Sequence, residues 1–440
     1  MIKSLLIANR GEIAVRIVRA CREMGIKTVA VYSEADRHSL HVKLADQAIC
    51  IGPPPSKDSY LNVNNIISAA VKTGVDAIHP GVGFLSENAK FGRAIKDAGL
   101  IWIGPDPDVI DSMGDKVTAK RTATKFGVPC TPGIEGAVVD LEATAKAVQG
   151  IGFPVIVKAS AGGGGKGMRI VRKAEELIES IKICSHEAES SFGDGTVFIE
   201  KYLENASHVE LQIIGDTHGN VIHLGERDCS VQKNHQKLVE ESPSPLVTPE
   251  IRKRMGDDAV RMFKGMGYVG AGTIEFLFYQ GKYYFMEVNA RIQVEHPVTE
   301  TVTNVDLLKE QIRVCCGEPL RYTQEDIRFD SYSMEVRINA TAPGKVLNYL
   351  PPSGYKVRVD SFLYNGYQVP PNYDSMVAKV IIGARDRAEG IQKMLAVLGE
   401  FQLEGVPTNI ELQKKIINSN LFRKGGFGTN ILNDIMKEIG

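Results

Sequence analysis

The chain of 440 residues is about three times the commonest domain length, so two or three domains with clefts between them are expected. Its 52 Lys and Arg against 53 Asp and Glu, a formal charge of −1, give no sign of nucleic acid or an anionic membrane as partner. A composition of 43% hydrophobic and 24% charged residues excludes disordered, coiled-coil and collagen-like classes. Seven cysteines without C-x-x-C spacing and the lack of a long apolar stretch predict a soluble, cytoplasmic protein.

The first hundred residues have the pattern of a parallel sheet covered by helices. A strand, a turn at Gly11, an amphipathic helix and a second strand form a βαβ unit within residues 5–32. Further apolar runs at 77–79 and 100–103 extend the sheet. A dinucleotide site is not predicted, because the turn after the first strand has one glycine where that fingerprint needs three.

A second domain is predicted after a Pro- and Gly-containing boundary at 105–114, and it begins with a helix at 116–126. From Pro154 onward the pattern indicates mostly short strands and glycine turns. One helix interrupts them, with Thr248 as its N-cap and its end at 265–267.

A glycine-rich loop, Ser160-Ala-Gly-Gly-Gly-Gly-Lys-Gly167, lies between two strand-like runs. Its unhindered N–H groups, with Lys158 and Lys166, can bind phosphate oxygens. The loop is not a Walker P-loop, because Gly167 stands where Ser or Thr is required and a strand follows in place of a helix. We interpret it as a hairpin flap over phosphates, with a plain flexible turn as the alternative.

Two alternating runs on either side of Gln280-Gly-Lys282 predict a β-hairpin with a three-residue loop. That register places Glu275 directly opposite Glu287, and like charges so placed repel unless a cation lies between them. With Asn289 on the same face, these hard oxygen ligands favour Mg²⁺ carried by nucleotide phosphates over zinc.

The same period of two, continued along the chain, places Arg291, Gln293 and Glu295 on that polar face. The alternative is a solvated face of an edge strand. Basic and amide groups crowd residues 226–239 densely enough to bind an anion, although such a run is more often a solvated face. Arg337, taken alone, is predicted to be a surface residue.

Seven motifs in order resemble the biotin carboxylase family of ATP-grasp ligases, over nearly the whole chain. They are Ile7-Ala-Asn-Arg-Gly-Glu-Ile-Ala14, His79-Pro-Gly-Val-Gly-Phe-Leu-Ser-Glu-Asn88, the loop at 160–169, Glu200-Lys-Tyr-Leu203, Glu226-Arg-Asp-Cys-Ser230, His235-Gln-Lys237 and Glu287-Val-Asn-Ala-Arg-Ile-Gln-Val-Glu-His-Pro297. The resemblance implies a multidomain α/β and α+β fold. Its parts are a Rossmann-like N-terminal domain at 1–114, an ATP-grasp domain at 115–330 with a glycine-rich lid at about 131–203, and a mixed α/β C-terminal domain at 331–440.

The resemblance also implies roles for individual residues. It assigns ATP contacts to Lys116, Lys158, Gly164, Gly165, Glu200, Lys201, Tyr202, Leu203, His208 and His235, and the nucleotide-bound metal to Glu275, Glu287 and Asn289. It assigns the bicarbonate site to Lys237, Arg291, Gln293 and Val294, the general base to Glu295, and biotin binding with stabilisation of its ureido oxygen to Arg337.

The activity implied is ATP- and bicarbonate-dependent carboxylation of biotin through carboxyphosphate, with Mg²⁺ or Mn²⁺. This is the first half-reaction of an acetyl-CoA or pyruvate carboxylase. No lysine lies in an Ala-Met-Lys-Met-like context, so a separate biotin carboxyl carrier protein is expected, with a separate carboxyltransferase subunit. The resemblance further implies a homodimer. One departure is Val82, where the family commonly has a tyrosine near biotin.

Two other functions stay open on the residues themselves. The first is another ATP-grasp ligase with the same hairpin and a different acceptor. The second is a catalytically silent nucleotide-binding subunit, which the presence of both Glu295 and Arg337 disfavours.

Overall fold

The computed structural model describes residues 2–134, 138, 140–160, 167–234 and 236–439. The predicted N-terminal sheet is confirmed, and its strands run parallel with helices packed around them. Its elements are β1 (Ser4–Ile7), α1 (Gly11–Glu23), β2 (Lys27–Ser33), α2 (Leu40–Leu44), β3 (Gln47–Gly52), α3 (Val63–Thr73), β4 (Ala77–His79), α4 (Ala89–Asp97), β5 (Ile101–Trp102) and α5 (Pro107–Gly114).

The strand order β3-β2-β1-β4-β5 places β1 beside β4 in the middle of the sheet. The strand order proceeds outward in opposite directions from this point, so the loops after these two parallel strands open a crevice at their carboxyl ends. The side chain of Asn9 joins the two loops, because its Nδ2 donates to the carbonyl oxygens of Pro80 at 2.7 Å and Val82 at 2.8 Å. This side of the N-terminal sheet faces the cavity described below.

A three-stranded sheet follows, in which the central strand pairs antiparallel with both neighbours in the order β7-β6-β8. It has a hydrophobic core of its own around Val155, Val157 and Ile199. The predicted hairpin of β6 and β7 is confirmed, and its glycine loop, residues 161–166, lies outside the described residues. The elements are α6 (Lys116–Lys125), α7 (Leu141–Ile151), β6 (Val155–Ala159), β7 (Met168–Val171), α8 (Leu177–Phe192) and β8 (Val197–Lys201).

The remainder of the chain builds one large sheet in the order β13-β12-β9-β10-β11-β14-β19-β17, together with two small ribbons. Its central elements are β9 (Ser207–Gly215), β10 (Val221–Lys233), β11 (Gln236–Ser242), α9 (Pro249–Gly265), β12 (Gly270–Tyr279), β13 (Lys282–Asn289), α10 (His296–Thr303) and α11 (Leu307–Cys315). The C-terminal elements are β14 (Tyr332–Asn339), β15 (Gly344–Lys345), β16 (Asn348–Leu350), β17 (Val357–Ser361), β18 (Gln368–Val369), β19 (Met376–Ala384), α12 (Arg387–Glu400), β20 (Gln402–Glu404), α13 (Ile410–Asn418), α14 (Asn420–Lys424) and α15 (Ile431–Ile439).

Thr248 caps α9 as predicted, because its Oγ1 accepts a hydrogen bond from the backbone N–H of Ile251 at 3.3 Å. The prediction of a single helix after Pro154 was wrong. Helix α8 alone has 16 residues, and further helices follow α9. The apolar residues of α8 pack against the three-stranded sheet, and this tertiary contact was not visible in the local pattern. Among the described residues, none of the helices is both long and apolar enough for a membrane crossing.

The prediction of a three-residue loop between β12 and β13 was wrong, yet the predicted pairing of Glu275 with Glu287 is correct. Tyr279 pairs with Lys282, which leaves a two-residue loop with positive φ at Gln280 (50°) and Gly281 (73°). A bulge between Glu275 and Phe276 then shifts the register by one residue, so that Glu275 pairs with Glu287 as predicted. The loop is one residue shorter than predicted and the unpredicted bulge adds one residue, so the two errors cancel at Glu275 and Glu287.

This loop offers a test of local strain. Two central residues with positive φ form the turn that prefers Asn-Gly, and a left-handed glutamine is strained relative to asparagine. We expect Gln280→Asn to raise the free energy of unfolding by up to ~1 kcal/mol in a urea titration. The matched control is Gln402→Asn on the exposed strand β20, which should give no increase. Equal effects of the two substitutions would refute the explanation from strain.

Candidate active site

One cavity of about 1570 Å³ lies between the N-terminal sheet, the three-stranded sheet and the large sheet. Every predicted site residue that the structure describes lines it: Lys116, Lys158, Glu200, Lys201, Tyr202, Leu203, His208, Lys237, Glu275, Glu287, Asn289, Arg291, Gln293, Val294, Glu295 and Arg337. The predicted ATP contacts Gly164, Gly165 and His235 lie outside the described residues.

Lys237 lies at the centre of a cluster of charged side chains that line this cavity. Its Nζ lies 2.6 Å from Glu210 Oε2, 2.7 Å from Glu295 Oε1 and 3.1 Å from Glu275 Oε1. Burial favours the neutral amine, but the three carboxylates outweigh it and raise the pKa of Lys237 well above its usual value. The ammonium is therefore charged at any physiological pH.

Glu295 lies between two cations. Its second oxygen, Oε2, is 3.0 Å from Arg337 Nη2, and Arg337 Nε also donates to Glu240 Oε1 at 2.6 Å. Burial alone would raise the pKa of Glu295, but Lys237 and then Arg337 outweigh burial and hold it well below its usual value. Arg337 is thus a partly buried member of the site, and its prediction as a surface residue was wrong.

Glu275 and Glu287 face each other across β12 and β13 with Asn289 beside them, as the metal prediction requires. Burial, and next the charge of Glu275, raise the pKa of Glu287 to about 7. Glu275 is held ionised by Lys237 and by His208, whose Nε2 lies 2.9 Å from Glu275 Oε2. Two opposed carboxylates and an amide oxygen at the edge of a cavity fit a hard divalent cation.

Sequence reasoning did not single out Glu210 as a candidate ligand. His208, Glu210 and Glu275 each bring one ligand atom within 4.8 Å of the others. The neighbouring β9 strand explains this grouping, because Glu210 pairs directly with Glu275.

The residues after Asn289 leave the strand, so extending its alternation to Glu295 was wrong. Strand β13 ends at Asn289, and Glu295 directly precedes helix α10. The predicted neighbours are nevertheless brought together, because Gln293 Nε2 donates to Glu275 Oε1 at 2.9 Å. Arg291 is held by Asn289 Oδ1 at 2.7 Å and by Glu87 Oε2 at 2.8 Å.

Positive charge also gathers at the end of the cavity nearest the three-stranded sheet. Lys158 Nζ lies 2.9 Å from Glu200 Oε2, and Lys120 Nζ lies 2.7 Å from Glu200 Oε1. Burial lowers the pKa of Lys116, while Glu287 opposes that shift. Lys201 lines the cavity, but its Nζ donates to the carbonyl oxygens of Gly152 and Phe153. Lys120 was missed in the sequence, although it lies one helical turn beyond Lys116.

Arg227 was grouped with an anion-binding run, and the structure gives it another environment. Its guanidinium is fully buried and all five N–H groups donate within the protein. The acceptors are Glu210 Oε1 at 2.5 Å, Gln212 Oε1 at 2.6 Å, Gln293 Oε1 at 2.8 Å, Thr299 Oγ1 at 3.0 Å and Thr273 Oγ1 at 3.1 Å. Arg227 therefore holds Glu210 and Gln293 in place through hydrogen bonds, and it has no N–H donor left for an anion.

Aromatic side chains lie near Val82 at the N-terminal wall of the cavity. Phe84, in the left-handed region at φ 48°, stacks on Tyr60 with ring centroids 5.0 Å apart. The Tyr373 ring packs edge-on against the Tyr60 ring, with centroids 5.5 Å apart. The guanidinium carbon of Arg10 lies 4.1 Å from the centroid of the Tyr373 ring. This wall is therefore aromatic although position 82 is not.

Three family models together match most of the chain. The family model described as "Biotin carboxylase, N-terminal domain" matches residues 1–110. "Carbamoyl-phosphate synthase L chain, ATP binding domain" matches 115–323, and "Biotin carboxylase C-terminal domain" matches 335–434.

Named relatives and solved structures are similar along the whole chain. "Biotin carboxylase 1" of Bacillus subtilis is 54% identical over 442 residues, covering 98% of this chain and 98% of the relative. The solved biotin carboxylase domain dimer of Hydrogenobacter thermophilus 2-oxoglutarate carboxylase, with MgADP, ADP and bicarbonate, has a TM-score of 0.92 and 46% identity, covering 99% and 98%. The solved pyruvate carboxylase of Rhizobium etli has a TM-score of 0.91 and 39% identity, covering 98% of this chain and 40% of that longer one.

These matches extend over all three parts of the chain that enclose the cavity. The chain therefore belongs to the biotin carboxylase family, and it is an ATP-grasp ligase.

Proposed function

We propose that this chain uses ATP and bicarbonate to carboxylate biotin. The observation that carries the proposal is the junction of Lys237, Glu295 and Arg337, which places a carboxylate between two cations within one cavity. The cationic end around Lys158 and Lys120 is suited to nucleotide phosphates, and the ligands of the Hydrogenobacter relative support MgADP and bicarbonate as occupants.

The nucleotide end would bind ATP through Lys116, Lys158 and Glu200 to Leu203, with Glu275, Glu287 and Asn289 as the residues that would hold Mg²⁺. When bound, Mg²⁺ offsets negative charge on the transferring phosphoryl group. The lysines at this end add further charge compensation along the phosphates.

The bicarbonate end would hold its anion with Lys237, Arg291, Gln293 and Val294. Transfer of the γ-phosphoryl group of ATP to a bicarbonate oxygen forms carboxyphosphate and releases ADP. Glu295, whose pKa lies well below its usual value, is the acceptor for the bicarbonate proton. The positive charges of Lys237 and Arg337 depress the pKa of Glu295. When these two side chains also contact the bound substrates, their effect on Glu295 weakens, and Glu295 becomes a stronger base.

Biotin would enter beside Arg337, whose guanidinium can donate to the ureido oxygen as charge develops there. Breakdown of carboxyphosphate yields CO₂ and phosphate, the phosphate takes the proton from biotin N1′, and N1′ then forms a bond to the carbon of CO₂ to give carboxybiotin. The aromatic wall of Phe84 and Tyr373 would take the place of the tyrosine that the family commonly has at position 82.

We further propose the domain division 1–114, 115–330 and 331–440, with residues 131–203 as a lid over the phosphates. The separate core of the three-stranded sheet supports a lid that moves as a unit. Since β14, β17 and β19 continue the large sheet, the third domain would be rigidly joined to the second. The proposed partners are a biotin carboxyl carrier protein and a carboxyltransferase, with a homodimer as the proposed assembly. Cytoplasmic location stays a prediction.

The proposal is tested by ADP release from the purified chain with Mg-ATP, with bicarbonate varied and free biotin added. We expect turnover that requires bicarbonate and increases severalfold with biotin. Turnover indifferent to both compounds would favour another ATP-grasp ligase with a different acceptor. A chain that binds Mg-ATP but releases no ADP, even with a biotinylated carrier protein, would be catalytically silent.

A further inference from the structure

A buried lysine lies behind the segment that leads to Glu295. Lys379, inside the otherwise apolar strand β19, is fully buried. Its Nζ donates to the carbonyl oxygen of Val294 at 2.6 Å, and it lies 3.3 Å from Glu12 Oε2 and 4.0 Å from Asp360 Oδ2. One ammonium group thus joins the N-terminal helix α1, the C-terminal strands and the segment before α10.

The strand register explains why this lysine reaches the site. Lys379 pairs with Arg337 on β14 and with Asp360 on β17, so the three residues lie in a row across the sheet. Burial of the ammonium is offset by Glu12, Glu335 and Asp360, which together raise the pKa of Lys379. The donor to the Val294 carbonyl oxygen is therefore an ammonium group at neutral pH.

The carbonyl that Lys379 holds belongs to the peptide between Val294 and Glu295. That peptide is planar, so holding its oxygen restricts the direction of the bond that continues to the Cα of Glu295. A second cation contacts the middle of α10, because Arg358 Nη1 donates to Glu300 Oε2 at 2.7 Å. The residue before Glu295 and the helix that follows it are thus both attached to the C-terminal strands.

We propose that Lys379 is a positioning residue for the reaction, which places the Glu295 carboxylate and the Val294 peptide against bicarbonate by holding the Val294 carbonyl. The inference rests on the proposed function, since it assigns Lys379 to the same step. Reactions of this kind lose about 100-fold in rate when a reacting group is misplaced by about 1 Å.

The test compares Lys379→Met with the double variant Glu12→Gln/Lys379→Met. The single variant leaves the buried Glu12 carboxylate without its ammonium partner and can therefore fail to fold. The double variant removes that charge as well. Asp360 keeps Arg358 at 2.7 Å, and burial raises the pKa of Glu335 well above its usual value, so neither needs Lys379 as its partner. We expect the double variant to melt close to the wild type, to bind Mg-ATP with unchanged Kd, and to lose about 100-fold in kcat/KM for bicarbonate.

Arg387→Met is the matched control, since Arg387 is a partly buried cation paired with Glu241 away from the cavity. It should lower the melting temperature without changing kcat/KM for bicarbonate. A double variant with wild-type kcat/KM would overturn the inference, as would a loss in Mg-ATP affinity equal to the loss in kcat/KM. If the wild type itself shows no bicarbonate-dependent ADP release, the proposed function fails first, and the role of Lys379 with it.

Discussion

The Glu295→Gln variant should lose at least about 100-fold in biotin-dependent turnover while it binds Mg-ATP as tightly as the wild type. Glutamine keeps the size of the side chain and removes the proton acceptor. Both neighbouring cations stay compensated in the variant, because Lys237 retains Glu210 and Glu275 and Arg337 retains Glu240. The loss should therefore appear in kcat rather than in folding or nucleotide affinity, and ADP release with parallel nucleotide titrations measures both.

Glu240→Gln provides the matched control. Both carboxylates bind Arg337, but only Glu295 also contacts Lys237 and lines the cavity. Burial raises the pKa of Glu240 to about 7, so replacing its carboxylate by a neutral amide is a smaller change than at Glu295. We expect Glu240→Gln to keep most of the turnover. Equal losses in kcat and in ATP affinity for Glu295→Gln would refute its assignment as the base.

The β12–β13 hairpin shows which features of the site can be predicted from the local sequence pattern. Alternation was sufficient to place Glu275 and Glu287 on the same face of the hairpin, because successive side chains of a strand point to opposite faces. That the two residues lie directly opposite each other was predicted correctly only because the errors in loop length and in the bulge cancelled. The loop length was not predictable, since a glutamine at position 280 does not by itself distinguish an extended from a left-handed backbone. The bulge depends on cross-strand geometry, which has no local signal at all.

Buried cations were the other gap in the sequence-based prediction. Arg227 looked like part of a solvated charge run, and only tertiary structure shows that every donor is used internally. Lys379 had a usable signal, because a lysine within an apolar strand needs buried partners. Those partners come from residues 12, 294 and 360, and such long-range contacts are set by the fold rather than by neighbouring residues.

The largest expected effect on stability follows from Arg227. Arg227→Met leaves the buried Glu210 with Lys237 at 2.6 Å and the more distant His208 ring at 3.9 Å. It also removes the donors that join three strands of the large sheet to helix α10. Breaking such a buried pair costs about 3–5 kcal/mol in free energy of unfolding, which a urea titration measures.

Arg261→Met is the control for the Arg227 variant, because Arg261 is half-exposed and pairs with Asp258 at the surface. Its cost should stay below about 1 kcal/mol. Arg227→Lys should fall between the two variants, since it restores the charge near Glu210 but cannot supply five donors in a planar arrangement. If Arg227→Met cost no more than Arg261→Met, the internal hydrogen bonds would contribute no net stability, and the position of Gln293 beside Glu275 would need another support.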